Sequence, residues 1–106
     1  MESTYTDIGL SQEFPEGTKL VQIGDKPVCV LRRGESWYAF DDYCPHRAGP
    51  LSEGTFSAST VTCPWHHGEF DFLTGAAIRG PTRHSLVTRK VKIQDGHVLV
   101  EQLKTV

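Results

Sequence analysis

The stretch Cys63-Pro64-Trp65-His66 follows Cys44-Pro45-His46 after sixteen intervening residues, and each segment contributes one thiol and one imidazole. Prolines and glycines around both segments predict loops. Zinc fingers usually draw closely spaced Cys-x2-Cys and His-x3-5-His pairs from single turns, whereas each loop here mixes the two ligand types. Residues two apart in an extended loop lie about 6 to 7 Å apart at their Cα atoms, so their side chains can reach two neighbouring metal ions. The pattern indicates a binuclear metal cluster held between two loops.

The spacing Cys-x-His-x16-Cys-x2-His resembles the signature of Rieske proteins, whose [2Fe–2S] cluster has sulfur ligands on one iron and two histidines on the other. The resemblance covers most of the chain and includes residues 46–51, 63–71, 74–75 and 80–81. It implies one [2Fe–2S] cluster per chain, with Cys44 and Cys63 on the buried iron and His46 and His66 on the iron nearer solvent. It also implies an all-β fold, a Rieske-type antiparallel β-sandwich with a small cluster-binding subdomain of two loops.

Other residues near these loops are not expected to bind metal. His67 follows a predicted ligand, but the Cys-x2-His spacing selects His66 in its place. Cys29 lies among Val28, Val30 and Leu31, where a free cysteine usually behaves as a small buried hydrophobe. The remaining histidines, His84 and His97, are expected to be exposed polar residues.

Two pairs of positions place the chain within the family. By resemblance, high-potential Rieske proteins have two extra cysteines, which join the two loops in a disulfide. This chain has Gly49 and Trp65 at the matching positions, so the disulfide cannot form. Those proteins also have a serine and a tyrosine whose hydroxyls hydrogen-bond the cluster sulfurs, and the matching residues here are Gly68 and Phe70. Fewer hydrogen bonds to sulfur mean weaker stabilisation of the reduced cluster. The resemblance is therefore to the ferredoxin-type branch, with a potential toward the lower end of the Rieske range.

Short alternating apolar runs predict mostly β-structure away from the loops. Residues 19–23, 27–32 and 36–41 form a predicted meander with turns at 24–26 and 33–35. Asp95-Gly96 has the composition of a type I′ turn between strands at 91–94 and 98–101. A weaker hairpin is predicted at 55–56 and 60–62, and the first few residues are predicted to be a loose tail.

The composition limits the kinds of protein that this chain can be. Its 106 residues, predicted as a single Rieske domain over 1–106, carry a net charge of -2, which leaves no basic excess for nucleic-acid binding. No apolar run approaches the roughly 20 residues that span a bilayer, and the start lacks signal-peptide features. Three cysteines cannot form a complete disulfide framework. These features predict a cytoplasmic protein that does not bind membranes.

The predicted function is that of an electron carrier and not of an enzyme. Rieske oxygenases also need a mononuclear iron site, and the forty residues after His66 leave no room for that domain. We expect a monomer that passes electrons transiently from a flavoprotein ferredoxin reductase to a terminal oxygenase, in oxidation of an aromatic compound. Two alternatives are the small Rieske-like subunit of an NAD(P)H-dependent nitrite reductase and a structural zinc domain.

Overall fold

A computed structural model describes residues 4–42, 51–64, 68–79 and 85–102. In these ranges the chain forms short 3₁₀ helices at Ser11–Glu13 and Leu51–Glu53 and is otherwise composed of β-strands and connecting turns. The strands are β1 (Thr4–Leu10), β2 (Gly17–Ile23), β3 (Lys26–Arg33), β4 (Ser36–Asp41), β5 (Thr55–Phe56), β6 (Thr60–Thr62), β7 (Glu69–Asp71), β8 (Ala77–Arg79), β9 (Thr88–Arg89), β10 (Val91–Gln94) and β11 (His97–Gln102).

The strands pair in three antiparallel sheets. Sheet A has the order β1-β11-β10, sheet B has the order β2-β3-β4-β9, and sheet C has the order β5-β6-β7-β8. The predicted all-β antiparallel fold is confirmed, as are the meander β2-β3-β4 and the hairpin β5-β6. Asp95 and Gly96 have φ of 52° and 79°, which is the backbone geometry of the predicted type I′ turn.

Sheet B lies between the other two sheets because both of its faces are apolar. Side chains alternate along a strand, so Val28 and Val30 of β3 pack with Val98 and Val100 of sheet A. The intervening Cys29 and Leu31 face sheet C and belong to a second core. That second core also contains Phe40, Leu51, Val61, Cys63, Phe70, Phe72 and Leu86. The run 28–31 is therefore buried without interruption, as expected for a strand covered on both faces.

The N-terminal prediction is wrong for the residues that the structure describes. Thr4–Leu10 is a strand that pairs with β11, with Thr4 opposite Gln102. Its partner lies at the other end of the chain, and this long-range pairing leaves no local sequence signal. The short strands β7, β8 and β9 were also not predicted from sequence.

Candidate metal centre

Cys63 lies immediately after β6, at the end of sheet C. Its side chain is fully buried, with 0% of the residue exposed, and its thiol is free. The Cys63 backbone N–H donates to the Gly68 carbonyl oxygen at 2.7 Å. This bond closes the loop 63–68 at its base, so that the direction of the chain as it leaves Cys63 is fixed by strands β6 and β7.

Gly68 and Phe70 lie directly beside this closure. The Phe70 ring is fully buried in the core that contains Cys63, and its backbone pairs with Val61. A Cβ atom added at Gly68 would lie 3.5 Å from the Phe70 ring and 3.7 Å from the Arg79 carbonyl oxygen. Both distances are ordinary van der Waals contacts, and a serine side chain therefore fits at this position.

The first loop is held at its base by a buried carboxylate. Asp42 precedes the segment 43–50, Ser52 follows it, and Asp42 is only 8% exposed. Its Oδ1 accepts a hydrogen bond from the Ser52 backbone N–H at 2.6 Å, and its Oδ2 accepts one from the Ser52 hydroxyl at 3.0 Å. Asp42 was not singled out from the sequence, although Asp and Ser are residue types that commonly bond nearby backbone groups at loop ends.

Cys29 is a core residue, as predicted. It has no exposed surface and lies in the core shared by sheets B and C. Burial raises the pKa of its thiol to about 12, and the negative charge of Asp42 contributes to the increase. Metals bind the thiolate and not the thiol, so Cys29 is poorly suited to be a ligand at neutral pH.

Most of the predicted ligands lie outside the described residues. Of the predicted set only Cys63 is described, whereas Cys44, His46 and His66 fall in segments 43–50 and 65–67. His67, Trp65 and Gly49 are in the same segments, and His84 is in segment 80–84. Within the described ranges, no group of three or more His, Cys, Asp or Glu residues is arranged to hold a metal ion.

His97 begins β11 of sheet A. Its side chain is partly exposed, as predicted, and its Nδ1 atom lies 2.9 Å from Asp7 Oδ2. The contact is a hydrogen bond when Nδ1 carries the proton. We assign this pair to the stability of sheet A.

A match to a protein-family model decides the family. The model for the Rieske [2Fe-2S] domain matches residues 4–100. The chain belongs to the Rieske [2Fe–2S] family. Its cofactor is therefore a Rieske-type [2Fe–2S] cluster, and the prediction made from the two loops is confirmed at the level of family and cofactor.

The relatives of this Rieske protein include ferredoxin components of dioxygenase systems. The ferredoxin component of a naphthalene 1,2-dioxygenase system from Pseudomonas aeruginosa is 31% identical over 102 residues, which cover 95% of this chain and 98% of that one. The ferredoxin of carbazole 1,9a-dioxygenase from Nocardioides aromaticivorans IC177 superposes with a TM-score of 0.82, at 29% identity, over 92% of this chain and 96% of its own.

A third similar structure includes a partner. It is a complex of reduced oxygenase and oxidized ferredoxin in carbazole 1,9a-dioxygenase, and its matching chain is 31% identical, with a TM-score of 0.78. The match covers 90% of this Rieske chain and 99% of that chain. The structural relatives thus confirm a ferredoxin-type Rieske fold.

No helix in the described ranges is long and apolar enough to cross a membrane.

The described residues fit a Rieske cluster. Cys63 offers a free thiol at the end of a strand, where Leu51, Val61 and Phe70 exclude water from one side. Sulfur ligands suit iron–sulfur clusters and imidazole suits iron, and each of the two loops supplies one of each type. The fully buried position of Cys63 agrees with a ligand to the iron farther from solvent.

Proposed function

We propose that Cys44, His46, Cys63 and His66 hold the cluster of this Rieske protein. The observation that supports the proposal is the position of Cys63, which is free, fully buried and placed by β6 at the start of the second loop. The Asp42–Ser52 contact brings the two ends of the segment 43–50, which contains Cys44 and His46, to within hydrogen-bond distance. Both loops therefore start from rigid parts of the fold.

The protein is a one-electron carrier that does not itself catalyse a reaction on a substrate. When bound, the cluster supplies a reversible one-electron couple. The residues of this chain bind it and bury one side of it, since Leu51, Val61 and Phe70 fill the space behind Cys63. We propose that the histidine side of the cluster faces the partners, so that electrons enter and leave there.

We further propose the identities of the partners. The relatives belong to dioxygenase systems, and one of them was captured with its oxygenase. These relatives support a terminal oxygenase acting on an aromatic compound as the electron acceptor. As the electron donor we propose a flavoprotein ferredoxin reductase. We also propose that residues 1–106 form a single domain, and that the protein is a monomer located in the cytoplasm. The odd count of three cysteines agrees with a reducing compartment.

The ligand set is tested by metal analysis of single variants. The wild-type protein is expected to contain about two iron and two acid-labile sulfide per chain. His46→Ala, His66→Ala and Cys63→Ser are expected to lose the cluster or convert it to another type. Cys29→Ser is the matched control, because it also removes a buried thiol from the same core, and it is expected to keep both iron and sulfide. One zinc per chain with no sulfide would contradict the proposal and identify a zinc domain.

The carrier role is tested by electron delivery. Protein reduced with one equivalent of dithionite is mixed with the oxygenase component of a carbazole or naphthalene dioxygenase system, and reoxidation is followed by absorption. We expect transfer without a complex that survives gel filtration, because redox encounters usually bury less than about 1,200 Å². A tight complex with nitrite reductase subunits after purification from cells would instead assign the protein to that enzyme.

A further inference from the structure

The strongest unassigned feature is the bidentate contact between Asp42 and Ser52. Asp42 directly follows β4, and its backbone N–H donates to the Pro27 carbonyl oxygen at 2.9 Å. The carboxylate is therefore fixed to sheet B before the chain enters the segment 43–50. Both of its oxygens accept hydrogen bonds from Ser52, where the chain leaves that segment.

The contact lies in a nearly closed environment. Asp42 is mostly buried, and Leu51, the neighbour of Ser52, is fully buried in the core shared with Cys63. Hydrogen bonds to an ionised carboxylate are stronger than bonds between neutral groups. The residues that flank the segment 43–50 are therefore joined through one mostly buried carboxylate.

A second contact continues from Ser52 to the other loop. Gly54 follows the same 3₁₀ helix, and its N–H donates to the Leu51 carbonyl oxygen at 2.9 Å. A Cβ atom at Gly54 would collide with the carbonyl oxygen of Thr62, so the two backbones approach as closely as a glycine allows. Thr62 immediately precedes Cys63. The backbone at Gly54, which follows the first loop, therefore packs directly against the backbone at Thr62, which precedes the second loop.

We propose that Asp42, acting through Ser52, is a positioning residue that fixes the first ligand loop relative to Cys63. The inference rests on the proposed ligand set, since it is Cys44 and His46 that would be positioned. Loss of the contact leaves all four ligands in the chain but loosens their relative placement. The cluster is then expected to assemble, to be released faster and to show a broader range of geometries.

The central test compares Ser52→Ala with Ser52→Thr in the cluster-loaded protein. Ser52→Ala removes one hydrogen bond to the carboxylate, and we expect release of iron to a chelator to become roughly tenfold faster, as for loss of a charge-assisted bond. Broader lines in the electron paramagnetic resonance spectrum of the reduced protein are expected as well. Ser52→Thr keeps the hydroxyl and is expected to restore both properties. Asp42→Ala is expected to have a larger effect than Ser52→Ala.

Asp71 provides the matched control. Its Oδ1 also accepts two backbone hydrogen bonds, from Leu73 at 2.7 Å and Thr74 at 3.2 Å, but in a turn between β7 and β8 that contains no proposed ligand. Asp71→Ala is expected to lower the thermal unfolding midpoint without changing iron release or line width. Equal effects of Ser52→Ala and Asp71→Ala on iron release would show a general stability effect and overturn the proposal.

The remaining outcomes separate this proposal from the ligand assignment. If Asp42→Ala does not fold, the Ser52 variants alone decide the result, because they leave the carboxylate and the backbone bond in place. A cluster that persists in His46→Ala would contradict the ligand set. A cluster that is lost in His46→Ala but released from Ser52→Ala at the wild-type rate would contradict only the positioning role of Asp42.

Discussion

At the scale of single residues, Gly68 offers a direct way to change the reduction potential. It immediately precedes β7, and its carbonyl oxygen accepts the Cys63 N–H bond that closes the second loop. The neighbouring Phe70 ring is fully buried and 3.5 Å from a Cβ built on Gly68. By resemblance, high-potential Rieske proteins have hydroxyl groups at these two positions. Among the described residues, a Cβ atom at position 68 meets nothing closer than 3.5 Å.

Gly68→Ser is therefore expected to raise the potential of the cluster, because a hydroxyl hydrogen bond to sulfur stabilises the added electron. A hydrogen bond to a charged group is worth roughly 1.5 to 3 kcal/mol. For a one-electron couple at 59 mV per tenfold, this corresponds to a ceiling of roughly 65 to 130 mV. Phe70→Tyr is expected to act in the same direction. Protein-film voltammetry measures both shifts.

Gly68→Ala is the control for this prediction. It adds the same Cβ atom and the same backbone restriction but no donor, and we expect its potential to equal that of the wild type. A serine variant with an intact cluster and the same potential as the alanine variant would mean that position 68 does not face the cluster sulfurs. The assignment to the ferredoxin branch would then depend on Gly49 and Trp65 alone.

At the scale of secondary-structure elements, the pairing of β1 with β11 depends on a charged side chain. The register shifts between Asp7 and Leu10, and Gly9 takes a φ of 126° within the irregularity. Asp7 accepts the Gly9 N–H at 2.9 Å through Oδ1 and lies beside the His97 ring through Oδ2. The Gly9 bond, followed by the hydrogen bond and charge of His97, lowers the pKa of Asp7 below its ordinary 3.8.

Asp7→Asn is accordingly expected to lower the thermal unfolding midpoint at neutral pH. A lowered folded-state pKa stabilises the protein above pH 3.8, and this stabilisation is lost as the pH falls through the lowered value. The difference between variant and wild type is therefore expected to shrink below about pH 4. Asp95→Asn, in the turn that precedes β11, is the control, because it makes the same substitution outside the contact with His97. Calorimetry from pH 2.5 to 7 distinguishes the two.

A buried arginine forms an ion pair within sheet B and a hydrogen bond to sheet A. Arg89 of β9 donates from Nε to Asp41 Oδ1 of β4 at 2.6 Å and from Nη1 to the Glu101 carbonyl oxygen at 2.9 Å. The side chains of Arg89 and Asp41 are only 3% and 11% exposed. Arg89 therefore does not contribute to a surface charge, although it follows Arg79 and Arg83 in a basic part of the sequence.

Arg89→Met is expected to destabilise the protein by about 3 to 5 kcal/mol, because it leaves Asp41 buried without a counter-charge. Arg79→Met is the control: Arg79 is 78% exposed and 3.6 Å from Glu69, and loss of such a surface pair costs at most about 1 kcal/mol. Urea unfolding of the two variants gives the comparison. A similar decrease in the free energy of unfolding in both variants would contradict the structural role assigned to Arg89.

At the scale of the whole molecule, the layers separate the proposed cluster from most of the surface. Sheet C carries Cys63, and sheet B lies between it and sheet A. We therefore propose that electron transfer takes place at the end of sheet C where Cys63 lies. Arg47 adjoins the proposed ligand His46, and a charge at that point is well placed to orient an acidic partner.

Arg47→Glu is expected to slow electron transfer to the oxygenase, and to slow it more at low than at high ionic strength, because salt screens exposed charges. Lys92→Glu makes the same change in charge on sheet A, where Lys92 lies over the Tyr5 ring, and is expected to have little effect. Stopped-flow rates across a range of salt concentrations test both variants. Equal salt dependence in the two would place the docking surface elsewhere.

The sequence was most informative where local chemistry determines the structure. The turns at Gly34 and at Asp95-Gly96 and the alternating runs beside them were enough to predict β2, β3, β4, β10 and β11 to within a residue or two. The cluster type followed from the resemblance of the Cys-x-His-x16-Cys-x2-His pattern to the Rieske signature. Cys29 was predicted to be buried because its neighbours are apolar.

Contacts between distant segments could not be predicted in this way. β1 is rich in polar residues and forms a strand because it pairs with β11, whose residues lie 87 to 98 positions further along the chain. Asp42 and Ser52 meet only because the intervening segment returns to its starting point. Strands of two or three residues, such as β9, are too short to show a periodicity. These features depend on the assembled sheets.

The double-sided burial of β3 limits how the length of this chain can vary. An insertion or deletion of one residue within 28–31 would turn every following side chain of the strand to the opposite layer, so that Cys29 and Val30 would exchange cores. The same change in the turn at Gly24-Asp25 moves no side chain between layers. Gains and losses of residues are therefore tolerated at the hairpin turns, whereas β3 can change only by substitution.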